Sequence, residues 1–365
     1  MSKVQHGSQS TTFEASDQLI SIVVVNHNRA GLLRECLEAL VQQSYGFLEI
    51  LVVDNGSSDD SLEVVGSFSD KRIRVIPLDS NVGFSGGNNI AIRDAKGEFV
   101  ALINNDAVAQ ERWIEELVKV IRVSDPAIGM WASKVLLFGT NIIDKAGHLI
   151  YLDGQNRGRG TGEKDTGQYE CLEETLFPDG CAAVYRKSML DDVGEFDESF
   201  FAYGEDADLG IRSHWRGWRC LYVPNAVVHH RHSSTSGPFS IQKIYWIERN
   251  RLWLTVKNFP LPLLMISPLF TLIRWLWNLL AALLQRGAIG NFQKQVSFWD
   301  LVRTTIRAYR DGLWELGKMF QKRHEIRKTR RIPDVEFCRL LLRFRISGRV
   351  IAFQDLDYEG VQKIH

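Results

Sequence analysis

Apolar residues recur along the first third of the chain in two alternating rhythms. Four β-branched runs of strand length, ISIVVVNH (20–27), LEILVVD (48–54), IRVIPL (73–78) and EFVALIN (98–104), are each followed by a stretch with apolar positions at helical spacing, over 31–43, 59–68, 86–95 and 110–123. Four strand–helix units in succession predict an α/β domain with a mostly parallel sheet flanked by helices. After IGMWASKVLL (128–137) the pattern lapses. Residues 138–176 are rich in Gly, Asp, Glu and Lys without clear period, which predicts a loop or hairpin insertion that covers the site. Regular structure is expected again over 180–194, 204–218 and the strand RCLYVPNAVVHH (219–230), and SSTSGP (233–238) reads as a boundary.

Beyond that boundary, 241–259 reads as helix and LPLLMISPLFTLIRWLWNLLAALLQ (261–285) is the most apolar stretch. Its length approaches a membrane span, but Pro262 and Pro268 interrupt it and Arg274 and Asn278 sit in its middle. Ile273, Leu276, Trp277, Leu280 and Leu284 share a helical face, with Arg274, Asn278 and Gln285 away from it, which favours a helix lying in the plane of a membrane surface. A packed helical hairpin, or a contact with a second copy in a homo-oligomer, fits the same pattern. The basic run KRHEIRKTRR (322–331) is expected to meet anionic lipid headgroups.

Composition sharpens this division. The 365 residues carry 44 Lys+Arg and 44 Asp+Glu, yet residues 241–365 hold 22 and 10 of them, a net of +12 against −12 for residues 1–240. An acidic region suits metal-assisted chemistry, and a basic, Trp- and Leu-rich region suits an anionic membrane surface. No nucleic-acid-binding motif accompanies the basic charge, so a nucleic-acid partner is not expected. Five widely spaced cysteines encode neither a disulfide framework nor a zinc ribbon, and the polar residues 1–19 read as a loose tail without a signal sequence. A cytoplasmic location is the simplest expectation.

Candidate chemistry gathers at strand ends. The first strand–helix turn, NHNRAG (26–31), lacks the GxGxxG dinucleotide fingerprint, which argues against a dehydrogenase. Asp54 closes the second strand, where open α/β sheets bind ligands; it could accept a hydrogen bond from a base or ribose, or cap a turn. NVGFSGGNN (81–89) could bring backbone close to a phosphate, or be an ordinary Gly-rich turn. Asn104-Asn105-Asp106 ends the fourth strand with hard oxygen ligands for Mg²⁺ or Mn²⁺, phosphates and water completing the shell. GEDADLG (204–210) puts Glu205, Asp206 and Asp208 in the first turn of a helix beside an aromatic flank that would desolvate a carboxylate and make it a general base, although acidic residues also favour helix starts for their own sake. His229, His230 and His232 follow at a strand end, as ligands or phosphate contacts.

In this order, VVVNHNR, LVVDNGS, NVGFSGGNN, LINND, GEFDESFFAYGEDADL and VPNAVVHH resemble an inverting glycosyltransferase of family 2 with the GT-A fold, in its rhamnosyltransferase-like branch, over roughly residues 20–260. The resemblance implies a catalytic domain over 20–240, with a nucleotide-sugar half to about 106 and an acceptor half beyond, followed by a helical, basic C-terminal region over 241–365. It implies a dTDP- or UDP-sugar donor, rhamnose favoured, a divalent metal, and a glycan or polyprenyl-diphosphate-linked acceptor at the inner face of the cytoplasmic membrane. Residue by residue, Asn26, Asn28 and Asp54 would cradle the nucleoside, and Gly83 and Asn89 would line the donor. Asn104, Asn105 and Asp106 stand at the DxD metal motif, with Asn104 in place of its first aspartate. His230 matches an additional metal ligand, Asp206 the catalytic base with Glu205 beside it, and RNRLW (249–253) the segment closing the domain. A sugar-1-phosphate nucleotidyltransferase and a non-catalytic nucleotide-sugar-binding scaffold are the rival readings. The first would open with a Gly-rich basic loop that NHNRAG does not provide, and the second is disfavoured by Asp106, Asp206 and His230 occurring together.

Overall fold

The computed structural model describes residues 18–231, 240–287 and 296–354. The expected boundary at 233–238, His232 and most of the expected tail over 1–19 lie outside the described residues. The four predicted units are present: β1 (Ile20–Asn26), α1 (Ala30–Val41), β2 (Leu48–Asn55), α2 (Ser61–Gly66), β3 (Ile73–Leu78), α3 (Gly83–Asp94), β4 (Phe99–Ile103), a short β5 (Ala107–Ala109) and α4 (Trp113–Val123). β1, β2 and β4 pair in parallel and are buried on both faces, which is why they read as continuous Val/Ile/Leu runs. α4 turns Trp113, Ile114, Leu117, Val118 and Ile121 toward the sheet, one stripe at helical spacing.

The second half of the domain is mixed. β6 (Ile128–Leu137), β7 (Ile143–Ala146), β8 (His148–Ile150), β9 (Asn156–Gly158), β10 (Glu173–Thr175), β11 (Ala182–Arg186), α5 (Lys187–Val193), α6 (Glu205–Trp215) and β12 (Arg219–His230) follow. The main sheet runs β10-β12-β6-β11-β4-β1-β2-β3, with β5 paired to β12 and β7 to β6. β11 enters antiparallel between β4 and β6, so only the half from β4 to β3 is purely parallel. The aperiodic stretch 138–176 becomes β7 to β10, a set of short strands whose polar turns hid their period.

The sheet has an apolar cluster on each face, one under α1 and α4 and the other under α3, α5 and α6. A third cluster joins Phe177, Phe200 and Trp215 to residues beyond 240, including Trp253, Phe259, Phe337 and Leu341. These come from α7 (Ile241–Asn258) and its successors α8 (Leu261–Leu283), α9 (Phe298–Trp314), α10 (Leu316–Thr329), α11 (Asp334–Arg343) and α12 (Gly348–Phe353). Trp215 and Phe337 stack with ring centroids 3.6 Å apart. Lys257 of α7 is buried between Asp208 (2.8 Å) and Asp197 (2.5 Å).

α8 departs from the expected orientation. Arg274 faces inward and is 4% exposed: its Nε donates to Asp153 Oδ2 at 2.7 Å, and its two terminal nitrogens donate to the two oxygens of Glu248 at 2.9 and 3.0 Å. Ser267 and Ala281 share this inward side, while Met265, Leu269, Leu272, Leu276, Leu279 and Leu283 are exposed. Ile273 and Trp277, assigned above to the apolar outer face, are instead half-buried, because the helix rotates to deliver its one cation to two buried carboxylates. The basic run is engaged in part. Arg323 donates to the carbonyls of Val256 and Phe259 at the end of α7 and Arg327 to Asp334 and Phe259, while Lys322 donates to Asp197 and Arg331 to Asp192, so these cations help hold the C-terminal helices together and against the domain; Lys328, Arg330 and Arg331 are exposed.

Candidate active site

The carboxyl ends of β1, β2 and β4 open onto a cleft of about 690 Å³ that is closed on its other side by the loop before α6, by α7 and by the β8–β9 hairpin. Asn104, Asn105 and Asp106 line it where β4 ends. His230 is brought to Asp106 by strand register: β12 pairs antiparallel with β5, His230 opposite Ala107, and Arg231 N–H donates to Asp106 O at 2.9 Å. His230 Nε2 faces Asp106 Oδ1 at 3.3 Å, and Nδ1 donates to Asp144 Oδ2 at 2.8 Å. Burial opposes the imidazolium, but Cys181 and the Asp106 and Asp144 carboxylates raise the ring's pKa well above the ordinary histidine value. A carboxylate, an imidazole and an outer carboxylate holding the imidazole's far nitrogen form a donor set that suits a divalent ion with an open side.

Asp206 lines the same cleft from the first turn of α6. Its Oδ2 accepts from Gly180 N–H at 3.2 Å and its Oδ1 from Ala207 N–H at 2.7 Å, which fixes the carboxylate. Burial and the nearby Asp179 raise its pKa above the ordinary aspartate value. Glu205 is more enclosed, and burial together with Asp206 raises its pKa well above the usual glutamate value, which favours its neutral form.

The other expected residues divide. Gly83 lines the cleft at a φ of +81°, and a Cβ there would lie 2.6 Å from Phe201. Asp54 is 3% exposed at the end of β2; its Oδ2 accepts from Ser57 N–H at 3.3 Å and its Oδ1 is buried without a hydrogen-bond partner. Asn26 sits behind the cleft, its Oδ1 accepting from Asn105 Nδ2 at 2.7 Å. Asn28, at a φ of 59°, stitches the first loop to the second through Ser57 and Ser58. Asn89 is not at the cleft: its amide is bonded to the Phe196 backbone and to Glu198, so its role is to hold the loop before α6.

Several residues of the cleft carried no signal in the sequence. Asp144 and Lys145 come from β7, His148 from the start of β8, and Asp179 from the turn before β11. Lys145 Nζ pairs with Asp179 Oδ2 at 2.8 Å, and His148 Nε2 stands 3.5 Å from the same oxygen. His148 stacks on Phe177, and burial outweighs Asp179 and Asp206 to keep its pKa below the ordinary histidine value. Ligand atoms of His148, Asp179 and Asp206 lie within 4.8 Å of one another. A parallel pairing of β6 with β12 and an antiparallel one of β6 with β7 bring these groups beside His230, and no local pattern could have announced it.

The family described as Glycosyl transferase family 2 matches residues 21–194, and the related Glycosyl transferase family group 2 matches 157–305. The O-antigen biosynthesis protein RfbC of Myxococcus xanthus is 27% identical over 253 residues, 66% of this chain and 20% of that protein. The glycosyltransferase GlyG of Streptococcus pneumoniae is 36% identical over 110 residues, 30% of this chain and 36% of that one. The chain thus spans well under half the length of these curated relatives. In three dimensions it is similar to the mannosyltransferase PcManGT from Pyrobaculum calidifontis, solved with GDP-Man and Mn²⁺ (TM-score 0.50, 16% identity, 88% of this chain and 86% of that one). It is also similar to TarS of S. aureus (TM-score 0.51, 18% identity, 89% and 55%). The sheet and its flanking helices are those of the GT-A fold, and a helical C-terminal region follows them. The two family matches overlap over residues 157–194 and together run from 21 to 305, so over this stretch the chain is similar to glycosyltransferases of family 2.

Proposed function

We propose that the protein is an inverting, metal-dependent glycosyltransferase that moves a hexose from a nucleoside-diphosphate donor to a glycan or lipid-linked saccharide in cell-surface polysaccharide synthesis. The observation that carries this reading is one cleft with two separate centres: Asp106 and His230 at the sheet edge, and Asp206 on α6. Asp106 and His230 would hold Mg²⁺ or Mn²⁺, which would supply positive charge to the departing diphosphate. Asp206 accepts the proton of the acceptor hydroxyl as that oxygen attacks the anomeric carbon from the face opposite the leaving group. Its raised pKa brings it toward the operating pH, and the Gly180 and Ala207 N–H groups hold its orientation. Neutral Glu205 adds no second negative charge beside it. The motif resemblance favours rhamnose on dTDP or UDP, and similarity to an O-antigen biosynthesis protein supports a surface polysaccharide as the destination.

We read the protein as peripheral on the cytoplasmic face of the membrane. α8 is 23 residues long with a mean hydropathy of 1.5 in its best window and most of that window outside the core. Beside it, α9 exposes Phe298, Trp299, Ile306, Leu313 and Trp314 interleaved with Arg303, Arg307 and Arg310, a face suited to anionic headgroups.

The reading is tested by melting the protein with dTDP, UDP, GDP and ADP and their sugar conjugates, each with and without Mg²⁺ or Mn²⁺. A metal-dependent rise in Tm with one base is the expected result. No rise with any nucleotide overturns it.

A further inference from the structure

The cleft has a second half that neither the metal nor the base explains. Facing the strand ends, Phe201, Tyr203 and Trp246 line it with three half-buried aromatic rings. Trp246 lies near-parallel to Phe201, with centroids 5.4 Å apart and planes 32° apart, and to Tyr203, 6.1 Å and 27°.

The backbone that presents these rings is strained. Phe201 has φ 63° and ψ −61°, the positive-φ γ-turn, closed by Ala202 N–H donating to Phe200 O at 2.7 Å. Two residues on, Tyr203 also has a positive φ, 68°. Such a conformation is unfavourable for a residue with a Cβ and persists only where its surroundings over-determine it. Here they do. Asn250 Nδ2 donates to the carbonyls of Phe200, Ala202 and Tyr203 at 3.0, 2.9 and 2.7 Å, and Phe201 O accepts from Phe84 N–H at 2.8 Å. Packing does not call for this: the core beneath is closed by Trp253, buried against Phe200 with its indole N–H donating to Gly312 O. A loop clamped from α3 and α7 at once, to hold rings at a cleft wall instead of in the core, is a binding surface.

We propose that Phe201, Tyr203 and Trp246 seat the terminal pyranose of the acceptor, its C–H face against the rings and one hydroxyl directed at Asp206, three residues beyond Tyr203. This rests on the glycosyltransferase reading and deepens it. A pyranose has an apolar face and a polar rim. Half-exposed aromatic rings beside polar groups, here Gln155 and Asn156 of the same cleft, match that division. The nucleoside is the other ring system that stacks, and the effect of Trp246→Ala on the nucleotide response tells the two apart.

Saturation-transfer NMR on the full chain, with UDP and Mn²⁺ present, tests the assignment with methyl α-L-rhamnopyranoside, methyl β-D-glucopyranoside and methyl β-D-galactopyranoside as probes. Transfer to the protons of one ring face is expected from at least one probe, lost in Trp246→Ala and kept in Trp246→Phe. Nucleotide-dependent changes in Tm are expected to be the same in all three proteins. No transfer from any probe to the wild type, or transfer that survives Trp246→Ala, overturns the proposal. Loss of the nucleotide response in Trp246→Ala also overturns it and reassigns the rings to the donor. A wild type that fails to respond to any nucleotide counts against the glycosyltransferase reading itself, which the saccharide signals do not report.

Discussion

His230 is held between two carboxylates by its two nitrogens: Nδ1 donates to Asp144 Oδ2 at 2.8 Å and Nε2 faces Asp106 Oδ1 at 3.3 Å. The bond to Asp144 fixes the ring's tautomer and turns its other nitrogen toward the place where Asp106 would hold a metal. Outer carboxylates of this kind commonly account for about 10–100-fold in metal affinity. Asp144→Asn is therefore expected to weaken Mn²⁺ binding by about that range in calorimetric titration, with Asp144→Glu intermediate. Unaltered affinity in Asp144→Asn would remove Asp144 from this role.

On the proposed mechanism Asp206 is the base, and its removal would separate binding from chemistry. Asp206→Asn keeps an acceptor for the Gly180 N–H while removing the base, so turnover is expected to fall by about 10²–10⁴-fold. Donor binding, followed by Tm shift with the nucleotide, is expected to stay near wild type. A variant that turns over normally would show that another group takes the proton.

How much of this was readable before folding depends on the distance between partners. β1, β2, β4 and α4 were legible because buried strands and one-sided helices write their burial into local spacing. That Asp106 and Asp206 line the cleft was legible because each stands at the end of such an element. Asp144 and His148 were not, since they sit on short strands, β7 and β8, without a readable period, and Asp144 reaches His230 only through the pairing of β6 with β7 and β12. Asn89 was misread by helix phase: six residues after Gly83 on the same helix, it has turned through about 600° and looks to Phe196. Arg274 read only as an interruption of an apolar span because its partners, Glu248 and Asp153, lie 26 and 121 residues away.

Glu205 imposes a pH dependence on stability. Its carboxyl is buried, Oε2 lacks a hydrogen-bond partner, and the folded pKa is well above the unfolded one. Above the unfolded value, near 4.5, unfolding releases this proton, so the contribution is present in acid and is lost as pH rises through the folded pKa. Glu205→Gln keeps the shape and cannot ionise. It is expected to match wild type in Tm near pH 5 and to exceed it increasingly toward pH 8 and beyond. Parallel Tm curves for the two proteins would show that Glu205 does not stay protonated on folding.

Arg274 is the lock between α8 and the domain. Its cation keeps Glu248 down at about 2 and is buried with Asp153 and Glu248. Removing one member of a buried ion cluster leaves uncompensated charge, so Arg274→Ala is expected to cost about 3–5 kcal/mol in denaturant unfolding. Arg303→Ala, whose side chain is 80% exposed on α9, is expected to cost almost nothing by the same measurement.

The membrane reading makes its own demand on α8. Deleting the C-terminal helices cannot test it, because that removes Arg274 from Glu248 and Asp153 and opens the third apolar cluster. Leu269 and Leu276 are both 58% exposed on the outer face, so glutamates there leave the inward contacts intact. The double variant Leu269→Glu, Leu276→Glu is expected to fold with an unchanged Tm and to stop co-sedimenting with vesicles containing anionic phosphatidylglycerol. Neutralising Arg303, Arg307 and Arg310 is expected instead to weaken binding by about 1 kcal/mol per charge and to flatten its salt dependence. If the leucine variant sediments with vesicles as the wild type does, α8 is not the docking face. If it also changes the oligomeric state in solution, that face belongs to a second copy of the chain.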